Sequence, residues 1–193
     1  MPTQYVVVGG NAAGMSAATR LRRADEAADI TVIERGDTVS YASCGLPYHL
    51  SGTVPEDSLA VMGTEQLEDA FALDIRTGVT ATDVDPDEQT VSVVGADGEP
   101  EAVAYDDLVV ATGAEPMVPP MFDLSELDSC HTLRTVPDAT GIREELTGGE
   151  RTLVIGAGYI GLETAENLVE AGTDVVVVEL LDQVMANTLG PEM

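Results

Sequence analysis

Two kinds of residue in this chain of 193 have the type and spacing to do chemistry: a cysteine and two sets of glycines. Cys44 stands in "SYASCGLPYHLSG", among small residues, with Gly45 and Pro47 just after it. A thiolate is a nucleophile and a redox group, and Gly and Pro are residues that open a helix, whose N-terminus favours thiolate. The other cysteine, Cys130 in "DSCHTLRT", lacks that setting and reads as a small packing residue. Cys44, His49, Cys130 and His131 follow no recognisable metal-ligand spacing, so no metal is expected.

The glycines come as two turns. In "VIGAGYIGLETAENL", Gly156, Gly158 and Gly161 follow the G-x-G-x-x-G pattern between a strand-like and a helix-like run. That spacing makes a tight turn, lets a pyrophosphate approach the backbone and packs helix against strand, with helix N–H groups facing the phosphates. Glu179 follows Gly161 by 18 residues at the end of the next apolar run. A carboxylate there binds ribose hydroxyls and repels a 2′-phosphate, so NADH is expected in preference to NADPH. The earlier turn, "VVVGGNAAG", has Gly9, Gly10 and Gly14 enclosing Asn11, Ala12 and Ala13, with Asn11 where the middle glycine would stand. Glu34 follows Gly14 by 20 residues, at the end of "ITVIE", with Arg35 beside it. Two dinucleotides in one protein are expected, the first most simply FAD, with NADH reducing it. "VVATGAEP" brings Ala111, Thr112 and Gly113, small enough for backbone to come close to a cofactor, and Ala81 in the preceding alternating stretch is a further cofactor-side position.

The elements that position these residues read as α/β. A strand at 5–8, a helix at 12–24 and a strand at 30–34 form a βαβ unit whose continuous apolar strands suggest a parallel sheet covered on both faces. A helix near 65–72 follows, then an antiparallel excursion over 79–84, 90–94 and 103–105, and a buried strand at 108–112. Prolines at 116, 119, 120 and 137 mark residues 114–150 as a connector with a short helix near 138–146. From Arg151 the opening pattern repeats: strand, glycine turn, helix at 159–170, strand at 174–179. The fold class is therefore two Rossmann-like βαβ units, FAD then NAD, with the excursion in the first. Residues 1–113 are the first part of the FAD-binding domain with the redox cysteine, and 151–193 the beginning of the NAD-binding domain. The second unit reads as unfinished, so the chain is expected to be part of a longer protein.

Charge bounds the partners. There are 35 acidic and 8 basic residues, all of the latter arginine, for a net charge of −27. Self-repulsion on that scale disfavours a compact state in dilute buffer, and about molar salt, with a Debye length near 3 Å, removes most of it. The acids are dispersed among apolar periodicity, which suits a salt-rich cytoplasm. Nucleic-acid binding needs a basic face and is not expected. No apolar run approaches the ~20 residues of a membrane span, no basic leader precedes the first strand, and two cysteines make no disulfide framework.

In order and spacing, "VVVGGNAAGMSAA", "SYASCGLPY", "VVATGAEP" and "GAGYIGLETAENL" resemble the flavin-dependent pyridine nucleotide–disulfide oxidoreductases, in their single-cysteine branch of coenzyme A disulfide reductases, NADH oxidases and NADH peroxidases. The resemblance implies that Cys44 is the redox nucleophile facing the flavin. Dithiol members place a second cysteine where this chain has His49, so Cys44 is implied to cycle through a mixed disulfide with a small thiol or through a sulfenic acid. Oxidases and peroxidases carry a histidine at the position of Ala12, which favours coenzyme A disulfide as substrate. Coenzyme A contacts of the reductases match Ser16, Arg20, Arg23, Ser40 and Ser43, the last departing from a common asparagine. With Arg22, the two arginines make a positive cluster suited to phosphates. Tyr159 matches an aromatic that covers the nicotinamide side of the flavin, Ile160 adjoins it, and Glu163 matches an acid near the nicotinamide. The parent protein is implied to be a homodimer. An NADH oxidase or peroxidase, and a nucleotide-binding module without activity, are the alternatives.

Overall fold

The computed structural model describes residues 1–122, 127, 129–186, 188–190 and 192. In chain order the elements are β1 (Gln4–Val8), α1 (Ala12–Ala24), β2 (Asp29–Ile33), α2 (Leu46–Leu50), α3 (Thr64–Phe71), β3 (Asp74–Arg76), β4 (Thr80–Asp85), β5 (Thr90–Val94), β6 (Pro100–Ala104), β7 (Asp107–Val110), α4 (Val136–Glu145), β8 (Arg151–Ile155), α5 (Tyr159–Glu170) and β9 (Asp174–Val178). Contacts divide them into two compact units, Met1–Ala42 with Ala60–Ala114, and Ser43–Leu59 with Glu115–Met193.

The first unit is a parallel sheet in the order β3-β2-β1-β7 beside an antiparallel sheet β4-β5-β6. Because successive side chains alternate across a strand, β1 feeds two cores. Val7 joins Ile30, Val32 and Ile75 under Met15 and Ala18 of α1 and Leu67 of α3, while Val6, Val8 and Ile33 pack on Val91, Val93 and Val103 of the antiparallel sheet. Both faces are covered, as the apolar strands suggested, one by helices and the other by strands.

Two details differ from the sequence reading. β3 was not expected, three residues being too few to show a period. The strand expected at 108–112 is not a buried one: Leu108 and Val109 are half-buried and Val110 is 65 % exposed, since β7 is the sheet's edge.

The second unit holds the parallel pair β8-β9 with α5, and α2 packed on both α4 and α5. Helix α4 starts at a reciprocal cap, Thr135 Oγ1 accepting from Asp138 N at 3.3 Å and Asp138 Oδ2 accepting from Thr135 N at 2.8 Å. Most of residues 114–150, read from prolines as a connector, thus belong to this unit through α4; residues 123–126 and 128 lie outside the described ones. The segment Ser43–Leu59 belongs to it as well, so Cys44 packs with the second glycine turn's unit although it precedes most of the first in sequence.

Candidate functional site

Both glycine turns are built on the same plan. Gly9 and Gly156 have φ of 108° and 104°, a region that only glycine occupies comfortably. A Cβ on Gly14 would run into the carbonyl oxygen of Gly9, and one on Gly161 into that of Gly156, so these glycines let each helix start directly above its strand. Glu34, after β2, accepts from Gly10 N at 2.7 Å and Gly36 N at 2.8 Å. Glu179, after β9, accepts from Ala157 N at 2.7 Å and Leu181 N at 3.0 Å. The backbone N–H groups, Leu181 first and then Ala157, hold the Glu179 carboxyl below the ordinary carboxylate range.

Above these acids the two helices begin without side-chain caps. Neither Asn11, capping α1, nor Gly158, capping α5, gives a side-chain hydrogen bond to its helix, and neither first turn contains an acidic residue. In a chain with 35 acids that gap has a physical use, because an acid there would repel a phosphate from the N–H groups and the positive end of the helix dipole. Ala12 and Ala13, then Tyr159 and Ile160, are exposed at those starts, Tyr159 by 64 %. An uncapped, acid-free helix start above a glycine turn and a carboxylate at the end of the next strand suit a dinucleotide cradle, and the residues fit one at each turn.

The model of the pyridine nucleotide-disulphide oxidoreductases matches residues 3–193. The chain belongs to this family. Its cofactors are FAD and NADH. An NADH oxidase of Methanocaldococcus jannaschii is 36 % identical over 191 residues, which are 97 % of this chain and 42 % of the relative. Coenzyme A disulfide reductase of Staphylococcus aureus is 31 % identical over 185 residues, covering 94 % of this chain and 41 % of the relative. Among solved structures, an NAD-dependent persulfide reductase from A. fulgidus superposes with a TM-score of 0.92 at 40 % identity, covering 98 % of this chain and 36 % of that one. The chain spans about two fifths of the length of the curated relatives it matches.

The other candidate residues sort by place. Around the first turn, Ala111 donates from its N to Val8 O at 2.8 Å, and its carbonyl oxygen is what a Cβ on Gly9 would meet; Thr112 and Gly113 follow it exposed. Arg35 is exposed beside Glu34. Ala81 sits on β4 opposite Val93 and packs in the cluster that includes Val8, the residue before Gly9. Ser40 carries a positive φ of 53° and donates from its N to Gly10 O at 2.9 Å, which puts the loop after β2 on the turn. On α1, Ser16 and Arg20 are exposed, and the Arg23 guanidinium lies 5.9 Å from the Phe71 ring centre.

Arg22 leaves the positive cluster: it donates to the carbonyls of Phe71 at 2.8 Å, Ala28 at 2.7 Å, Ala72 at 2.7 Å and Glu26 at 2.9 Å. It ties α1 to the loops around α3. Nothing in the alternation of charges separates such a clamp from a phosphate-facing arginine, so sequence reading could not find it.

In the second unit, Cys44 is exposed in a 3₁₀ turn, Ser43–Gly45, that runs into α2. Ser43 is exposed beside it, and Glu163 is half-buried on α5. His49, on α2, is 2 % exposed, and its Nδ1 donates to Val54 O at 2.9 Å. The Arg143 guanidinium lies 3.5 Å from that same nitrogen, a donor facing a donor, at the wall of a cavity of about 320 Å³ lined also by Glu56, Thr140 and Glu144. Cys130 is exposed rather than packed, which corrects its reading as a packing residue. Among the described residues no group of three or more His, Cys, Asp or Glu could hold a metal, and no helix is long and apolar enough to cross a membrane.

Proposed function

We propose that this chain belongs to an NADH-dependent flavoprotein that reduces small-molecule disulfides, coenzyme A disulfide foremost, with Cys44 as its redox thiol. The observation that carries the reading is the pair of matching cradles, each with a carboxylate bonded to its turn and an acid-free helix start, in a chain whose Cys44 is exposed. The relative named coenzyme A disulfide reductase supports the substrate.

In this reading the first turn holds the FAD phosphates on the N–H groups at the start of α1, and Glu34 takes the ribose. The second turn does the same for NADH, and Glu179 disfavours NADPH by charge. Ser16, Arg20, Arg23, Ser40 and Ser43 bind coenzyme A, the arginines taking phosphates. Cys44 thiolate attacks one sulfur of the disulfide: that S–S bond breaks, a Cys44–coenzyme A disulfide forms, and one coenzyme A leaves as thiolate. When bound, FAD and NADH supply the two electrons that reopen this disulfide, returning Cys44 and freeing the second coenzyme A thiol. The active protein acts in a salt-rich cytoplasm as a homodimer.

The test is a visible spectrum of the chain, purified in molar KCl with added FAD. A retained flavin band that NADH bleaches is expected, together with thiol release from coenzyme A disulfide. Cys44→Ser keeps the bleaching and loses the release. Release that persists in Cys44→Ser sinks the assignment of the thiol.

The NADH oxidase of Methanocaldococcus jannaschii favours a second reading, an NADH oxidase working through a Cys44 sulfenic acid. Oxygen uptake with NADH alone, abolished by Cys44→Ser, decides for it.

A further inference from the structure

Helix α5 starts at the second glycine turn, and one side chain on its buried face is polar. Asn167 is 2 % exposed, between the buried Ala165 and Leu168, where a leucine would bury apolar surface with no amide to desolvate. Both ends of the amide are used. Nδ2 donates to Glu163 O at 2.9 Å, which turns Oδ1 to accept from Ser51 Oγ at 2.7 Å. The single Ser51 hydroxyl proton is thereby committed, so the Ser51 oxygen accepts from Thr53 Oγ1 at 2.9 Å, and the 3.2 Å approach to Tyr48 O is not a hydrogen bond.

Ser51 is the residue that closes α2, and Cys44 lies in the turn that opens it. A five-residue helix has no stability of its own, so its direction comes from what anchors it. Ser51–Asn167, at 2.7 Å, ties the Ser43–Leu59 segment to another helix and is shorter than the Thr140–Glu56 hydrogen bond at 3.2 Å. We propose that Asn167, acting through Ser51, is a positioning residue for Cys44, fixing the thiol's segment to the helix that begins at the NADH turn. This rests on Cys44 being the redox thiol.

The test uses the whole chain in a Cys130→Ser background, because both cysteines are exposed. Ser51→Ala and Asn167→Ala are each expected to speed amide exchange over residues 44–50 about fivefold, the equivalent of one net hydrogen bond, and the double variant no further. Exchange in β1 and β2 stays unchanged. The alkylation rate of Cys44 by iodoacetamide, followed across the neutral pH range, moves towards that of an unstructured peptide with the sequence of residues 40–52. Ser51→Thr, which keeps the hydroxyl, restores both readouts. Additive effects, a Ser51→Thr variant that behaves like Ser51→Ala, or wild-type Cys44 reacting at the peptide's rate would each overturn the proposal. Should Asn167→Ala fail to fold, the half-buried Ser51 pair decides alone. Neither readout needs flavin or NADH, so a failed reductase assay leaves this test standing, and the reverse.

Discussion

The two glycine turns share a backbone and differ in what surrounds it. Gly9 and Gly156 have nearly the same φ, and both turns hang a carboxylate on the second residue's N–H. Beside Gly9, however, β7 runs parallel to β1, and the Ala111 carbonyl closes on the turn; a Cβ on Gly156 would find nothing within 4 Å. The strands below follow suit. Val6, Val7 and Val8 are buried, whereas Leu153 and Ile155 of β8 and Val176, Val177 and Val178 of β9 are exposed by 37–56 %. A glycine-rich motif therefore sets the turn locally, and only added layers turn it into a core.

The sharpest way to break this comparison is to put alanine at both glycines. Gly9→Ala combines backbone strain with collision against Ala111 and is expected to cost about 4 kcal/mol, enough to unfold the first unit, while Gly156→Ala carries strain alone, about 2 kcal/mol. Urea unfolding in molar KCl measures both, and equal losses would show that β7 adds no constraint.

Next in size is the Arg22 clamp of the first unit. Arg22→Ala strips four carbonyls of a charged donor and should lose about 3 kcal/mol of stability, whereas exposed Arg20→Ala should lose less than about 0.5 kcal/mol and weaken coenzyme A binding instead.

The carboxylates come third. Glu179→Gln is expected to weaken NADH about tenfold and to narrow its advantage over NADPH, while Glu34→Gln weakens FAD and leaves NADH alone. The sign with pH follows from the lowered Glu179 value: its charge, and the stability it adds, is present above the ordinary carboxylate range and is lost as pH falls through the lower folded value. NADH binding should thus persist below about pH 4.3 wherever the fold does, by fluorescence titration.

The smallest effect concerns salt. Lowering KCl from molar to about 0.1 M lengthens the Debye length from about 3 to 10 Å and should lower the melting temperature of the whole chain. An unchanged melting temperature would remove the reading of the acidic surface as a salt adaptation.

Much of the fold was legible because its signals are local. The span of α1 was read to the residue, 12–24, and the helix after the second turn likewise, since both combine a glycine turn with helical periodicity. The antiparallel excursion showed in its alternation. What escaped depends on partners distant in sequence. β3 is three residues paired to β2, Arg22 bonds to carbonyls about 50 residues away, and Asn167 meets Ser51 across 116 positions. A lone asparagine on the apolar stripe of "ETAENLVE" was a visible sign, and only its partner gives it meaning.

By itself, then, the sequence determined the two glycine turns, their acids and the residue types around Cys44, because turn geometry and helix starts are decided within a few residues of the chain. The tertiary structure alone decided which unit carries Cys44, which arginine is spent on carbonyls and which strands are buried. Those depend on side chains and layers brought together from far apart, where periodicity holds no information about the partner.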